Sequence, residues 1–106
     1  MSKYLVIGSY TAEGAKGVLK EGGTGRAEAA RRVAESVGGK LESIYWGFGT
    51  DDYYVIVDVP SNAAAAAISL TVGASGSSRT RTVVLMTPEE VDAATRISPA
   101  FRAPGA

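Results

Sequence analysis

The stretch "WGFGTDDYYVIVDVP", Trp46 to Pro60, decides how the chain folds. Tyr53 to Val59 is almost wholly β-branched and aromatic, the composition of a strand. Gly49-Thr50-Asp51-Asp52 has the residues of a tight turn, and Lys40 to Phe48 reads as the strand leading into it. Pro60-Ser61 ends the third strand and announces a helix, with Ser61 or Asn62 as its cap. Side chains alternate along a strand, so Tyr53, Val55, Val57 and Val59 share one side, and Tyr54, Ile56 and Asp58 the other. The wholly apolar set belongs under helices.

Working outward, Lys3 to Ser9 is apolar on both faces, as a central strand should be. Thr11 to Gly25 carries five glycines; Ala12 to Leu19 predicts one or two irregular helical turns, weakened by Gly14 and Gly17. Gly22, Gly23 and Gly25 read as open loop. Arg26 to Val37 predicts a helix with an apolar stripe of Ala27, Ala30, Val33, Ala34 and Val37, capped by Thr24 and stopped at Gly38-Gly39. "NAAAAAISLTVGASG" predicts a second helix, ended at Gly76, whose small side chains suit close packing on a sheet. Arg79 to Met86 is the fourth strand. Thr87-Pro88-Glu89-Glu90 combines a capping box with a proline at the first helical position, which predicts a short helix to about Arg96.

The order β-α-β-β-α-β with a short C-terminal helix is that of an α+β, ferredoxin-like domain, an antiparallel four-stranded sheet with both main helices on one face. The domain spans 1–97, with a tail at 98–106, and strands one and three form the central pair. The uncovered face would carry Tyr54 and Ile56, joined by Ile44, Trp46 and Phe48 from strand two. That much aromatic surface calls for a partner, most economically a second copy packed sheet to sheet as a homodimer.

Composition excludes much chemistry. The chain has no cysteine and no histidine, which removes thiol nucleophiles, zinc fingers, iron–sulfur clusters and the usual general base near neutral pH. No cofactor or metal is expected. Eleven basic and eleven acidic residues cancel, so no long-range field draws in nucleic acid or an anionic membrane. The opening "MSKYLVIGSY" is too short in apolar length for a signal peptide or a span and reads as the first strand of a cytoplasmic protein.

Three stretches, "KYLVIGSYTAEGAKGVLKEGG", "ESVGGKLESIYWGFGTDDYYVIVDVPSNAAAAAISL" and "RTRTVVLMTPEEVDAA", together resemble the GYD-domain family over nearly the whole chain. The resemblance implies small bacterial proteins with the dimeric α/β-barrel form of the ferredoxin-like fold; it implies a fold and an assembly rather than an activity. At the signature, where the family has Gly-x-Tyr-Asp, this chain has Gly49-Thr50-Asp51-Asp52. The departure bears on any role resting on that tyrosine hydroxyl.

For function, the residues lead first to a module that binds a small apolar or aromatic molecule, or simply assembles. The alternative is a cofactor-independent enzyme of monooxygenase or isomerase type acting on a small aromatic or polyketide-like substrate. A third option is a regulatory domain sensing a metabolite at a subunit interface. The candidate pocket is Tyr10, Trp46, Tyr54, Asp58 and Arg81, with tyrosine hydroxyls orienting the ligand and an arginine, Arg79 or Arg81, pairing with Asp58 or holding a ligand carboxylate. The plainer readings stand beside these: packing for the aromatics, a hairpin turn rather than a magnesium site for Asp51-Asp52, and solvent for the arginines. Gly22 to Arg26 lacks the spacing of a phosphate-binding loop and reads as a flexible loop.

Overall fold

In a computed structural model that describes residues 1–106, β1 (Ser2–Tyr10) and β3 (Tyr53–Val59) lie side by side at the centre of a sheet. β2 (Lys40–Trp46) and β4 (Ser78–Leu85) flank them in the order β2-β3-β1-β4, all neighbours antiparallel. The two helices α1 (Ala12–Ser36) and α2 (Asn62–Ala74) are the crossovers, and α3 (Pro88–Thr95) follows the last strand. This is the ferredoxin-like arrangement expected from the order of elements. No helix is long and apolar enough to cross a membrane.

The core is built where strand alternation and the two helices meet. Tyr4 and Val6 of β1 with Val55, Val57 and Val59 of β3 pack against Ala34 of α1 and Ala65 of α2, Val59 and Ala34 being fully enclosed. Alanine at both helical contacts lets the helix backbones approach the sheet. Each enclosed valine contributes roughly 1.5–3 kcal/mol relative to exposure. The Tyr4 hydroxyl donates to Asn62 in the first turn of α2, which satisfies its one polar atom.

Helix signals fall largely where the residues put them. Ser61 caps α2 by accepting from the Ala64 amide. Thr87 and Glu90 form the reciprocal capping box of α3. α1 ends at Gly38, which takes a left-handed φ of 85°. Next to it, Gly39 presses on β3: a methyl there would lie 2.1 Å from the Asp58 carbonyl oxygen.

The glycine-rich stretch is more helical than expected. α1 is two helical segments joined at Gly22, whose φ of 77° and ψ of 173° are not helical; the first is capped by Thr11, and Thr24 lies inside the second rather than capping it. Gly14 is not a flexible point but a contact. A methyl there would stand 1.9 Å from the Ser77 carbonyl oxygen, so the glycine serves close packing rather than disorder.

The strand leading into the signature turn is shorter than expected, ending at Trp46 and leaving Phe48 exposed. It also faces differently. A bulge between Leu41 and Ser43 adds one residue to β2, and one residue reverses every later side chain. Ile44 and Trp46 thereby stand opposite Val55 and Tyr53, on the helix-covered side, instead of joining Tyr54 and Ile56.

Candidate functional site

Between the helices and the sheet lies a cleft of about 440 Å³, within the range that suits a small organic molecule. Its floor is Val55 and Val57; Ala30 and Val33 of α1 and Ile68 and Val72 of α2 form its roof and walls. Tyr10, Trp46 and Tyr53 close one end, and Ser77, Ser78 and Thr80 of the β4 side add hydroxyls.

The aromatic end is set by one missing side chain. Gly8 pairs directly with Tyr53 across β1 and β3, and a methyl on Gly8 would fall 1.9 Å from Tyr53 Cζ. Without it, the Tyr53 ring lies flat across β1 and reaches β4, where its hydroxyl meets Ser78 Oγ at 2.8 Å. Tyr10 reaches the opposite way, and its hydroxyl accepts from Trp46 Nε1 at 2.9 Å. The two tyrosine rings cross at 45° with centroids 5.1 Å apart, a favourable tilted contact.

The signature turn holds this end in place. The Asp52 amide donates to the Gly8 carbonyl at 2.8 Å, and the Asp52 carboxylate accepts from the Tyr10 amide at 2.8 Å. Asp51 instead meets Arg81 Nη2 at 2.9 Å on the opposite face.

The sequence-predicted site residues therefore divide. Tyr10 and Trp46 meet in the cleft, joined by a hydrogen bond. Tyr54, Asp58 and Arg81 lie on the other face, by strand register. Asp58 takes Lys3 rather than an arginine, Lys3 Nζ standing 3.0 Å from Asp58 and 2.9 Å from Glu42. Lys3 stands directly beside Asp58 in the ladder, so it is nearer than either arginine. Glu42 first and Asp58 second hold the Lys3 ammonium above its ordinary pKa.

Tyr53 and Ser78 complete the cleft end and were not among the sequence candidates. Strand alternation already placed Tyr53 on the covered side; what sequence could not show is that Gly8 opposite it clears its path to β4.

Burial pushes the Tyr53 phenol above its ordinary value of 10.0, with the Ser78 hydrogen bond opposing in part. A pKa raised in the fold means stability present below pH 10 and lost as pH climbs through the folded value. Tyr53→Phe is expected to flatten the loss of stability above pH 10, read as urea midpoints across pH 8–12; an unchanged alkaline slope would contradict this placement. Lys3, also held high, contributes a loss of the same sign and remains in the variant.

The family model described as GYD domain matches residues 4–95, which includes both crossovers, the cleft and the signature turn. No curated protein and no solved structure matches the chain.

Proposed function

The chain belongs to the GYD-domain family, and from that premise and the geometry of the cleft we propose that it is a homodimeric protein that binds a small apolar or aromatic molecule between helices and sheet. The observation that carries the reading is the cleft itself: about 440 Å³, mainly apolar, and closed by three aromatic side chains whose polar atoms are hydrogen-bonded. An apolar body with a few convergent polar groups is the usual make-up of a ligand site.

Binding is favoured over catalysis by what the aromatic end offers. The raised Tyr53 phenol stays protonated at neutral pH, so it can donate a hydrogen bond but is a poor base. Saturable binding of the neutral fluorophore 1-aminoanthracene tests the reading. The wild type is expected to enhance its emission to a plateau, and Ala30→Trp, which fills the cleft from α1, to abolish the plateau. Equal enhancement by both proteins would contradict the site.

Two observations support the homodimer. On the uncovered face, Leu5, Ile56 and Val83 form an apolar centre, with the Lys3–Asp58–Glu42 group at one end and the Arg81–Asp51 pair at the other. An apolar centre with a polar rim is the anatomy of an interface. The second is the C-terminal arm. α3 buries no residue, and Ile97 and Phe101 are 70% and 80% exposed. The radius of gyration is 16.8 Å, against about 13 Å for a compact chain of this length. An apolar arm held away from its own body fits a second copy, onto which it folds.

A further inference from the structure

We infer that the cleft selects a neutral, largely apolar molecule bearing a carbonyl-type oxygen, an acceptor for protons that the protein leaves unspent; the inference rests on the binding reading above. It follows from counting hydrogen-bond protons at the aromatic end. Trp46 Nε1 and the hydroxyls of Tyr10, Tyr53 and Ser78 bring four protons that can be donated. One is spent from Trp46 to Tyr10, and one between Tyr53 and Ser78, in whichever direction that bond runs.

Two protons are left over, one on Tyr10 and one in the Tyr53–Ser78 pair. Neither hydroxyl group has a further partner on the backbone or among the side chains. Ser78 is only 4% exposed, and the raised pKa of Tyr53 keeps its proton in place. The end of the cleft thus keeps two protons that no protein group accepts, a demand that an acceptor on the ligand meets. In the open cleft water takes those protons; a ligand that displaces the water without an acceptor loses those bonds.

Charge narrows the class further. The charged side chains of the lining are Glu13, Glu21 and Arg26. Arg26 stands 3.7 Å from Glu21, and Glu13 stands 3.6 Å from Lys16. No unpaired charge faces the apolar floor, so a charged ligand would leave water without a counter-ion. Ketones, aldehydes, esters and quinones on an aromatic or alicyclic body meet both conditions.

The test is displacement of 1-aminoanthracene by three molecules of one shape: naphthalene, 2-acetonaphthone and 2-naphthoate. The ketone is expected to compete about fivefold better than the hydrocarbon, the worth of one net hydrogen bond, and better than the carboxylate. Either single substitution frees one proton as it removes another, so the double variant Tyr53→Phe with Ser78→Ala, which removes that pair's spare proton, should narrow the ketone's advantage over naphthalene. Ketone and hydrocarbon competing equally in the wild type would overturn the inference while leaving the binding site standing. A preference for the carboxylate would overturn its neutrality. If the fluorophore itself does not bind, the site and the inference fall together.

Discussion

A Gly39→Ala variant is expected to lose about 3 kcal/mol of stability, at the upper end of the cost of overpacking. The added methyl would sit 2.1 Å from the Asp58 carbonyl oxygen and 2.8 Å from a Val59 methyl. The first is backbone in a central strand, and the second belongs to the fully enclosed Val59. Neither can rotate away, so α1's exit must lift from β3. At this chain length the melting temperature should fall by more than about 10 °C. Two other glycines calibrate the result. Gly38→Ala meets only Pro60 at 3.6 Å but must hold φ 85°, which costs about 1–2 kcal/mol. Gly17→Ala meets nothing within 4 Å inside a helix and should gain up to about 1 kcal/mol. A thermal series in any other order would contradict the packing described here.

The second large effect is on assembly. Val83 lies towards the middle of the edge strand β4 on the uncovered face, beside Leu5, and is 41% exposed in the isolated chain. Val83→Asp therefore leaves the single-chain fold intact but buries an unpaired carboxylate in a sheet-to-sheet dimer. The dimer should weaken by at least about 100-fold, since an unpaired buried charge costs several kcal/mol. Sedimentation of wild type and variant reads this directly. A wild-type monomer, or a variant that stays dimeric at micromolar concentration, would contradict the proposed interface.

Much of the architecture was legible because it rests on local chemistry. The run Tyr53–Val59 pairs with β1 without a break, and the caps at Ser61 and Thr87 are fixed by residues within one turn. What was not legible depends on distant partners. Gly14 looks like a helix breaker until Ser77 is found against it, so the first half of α1 reads as only one or two irregular turns followed by loop. The bulge at Leu41–Ser43 carries no residue signature, yet it decides that Trp46 faces the helices.

The site shows the same division. Tyr10 and Trp46 were recognisable as an aromatic pair able to line a pocket, and they do meet. Alternation already put Tyr54 and Asp58 on the uncovered face, with Trp46 expected beside them; the bulge carries Trp46 to the cleft and leaves them behind, and the face of Arg81 follows only from its register with β1. Their partners, Lys3 for Asp58 and Asp51 for Arg81, are matters of register between strands far apart in the chain. Gly8 decides the cleft by what it lacks, and its effect appears only once Tyr53 is seen across the ladder.

A small apolar molecule held in the proposed cleft would lie against Tyr10, Trp46 and Tyr53. The chain has one tryptophan, so its indole N–H gives a single resonance in a nitrogen–proton correlation spectrum, at the atom that bonds Tyr10. On titration with 1-aminoanthracene, that indole signal is expected to shift saturably together with the amides of Tyr10, Tyr53 and Ser78. Shifts confined to Leu5, Ile56 and Val83 on the other face, with the indole unmoved, would contradict the proposed site.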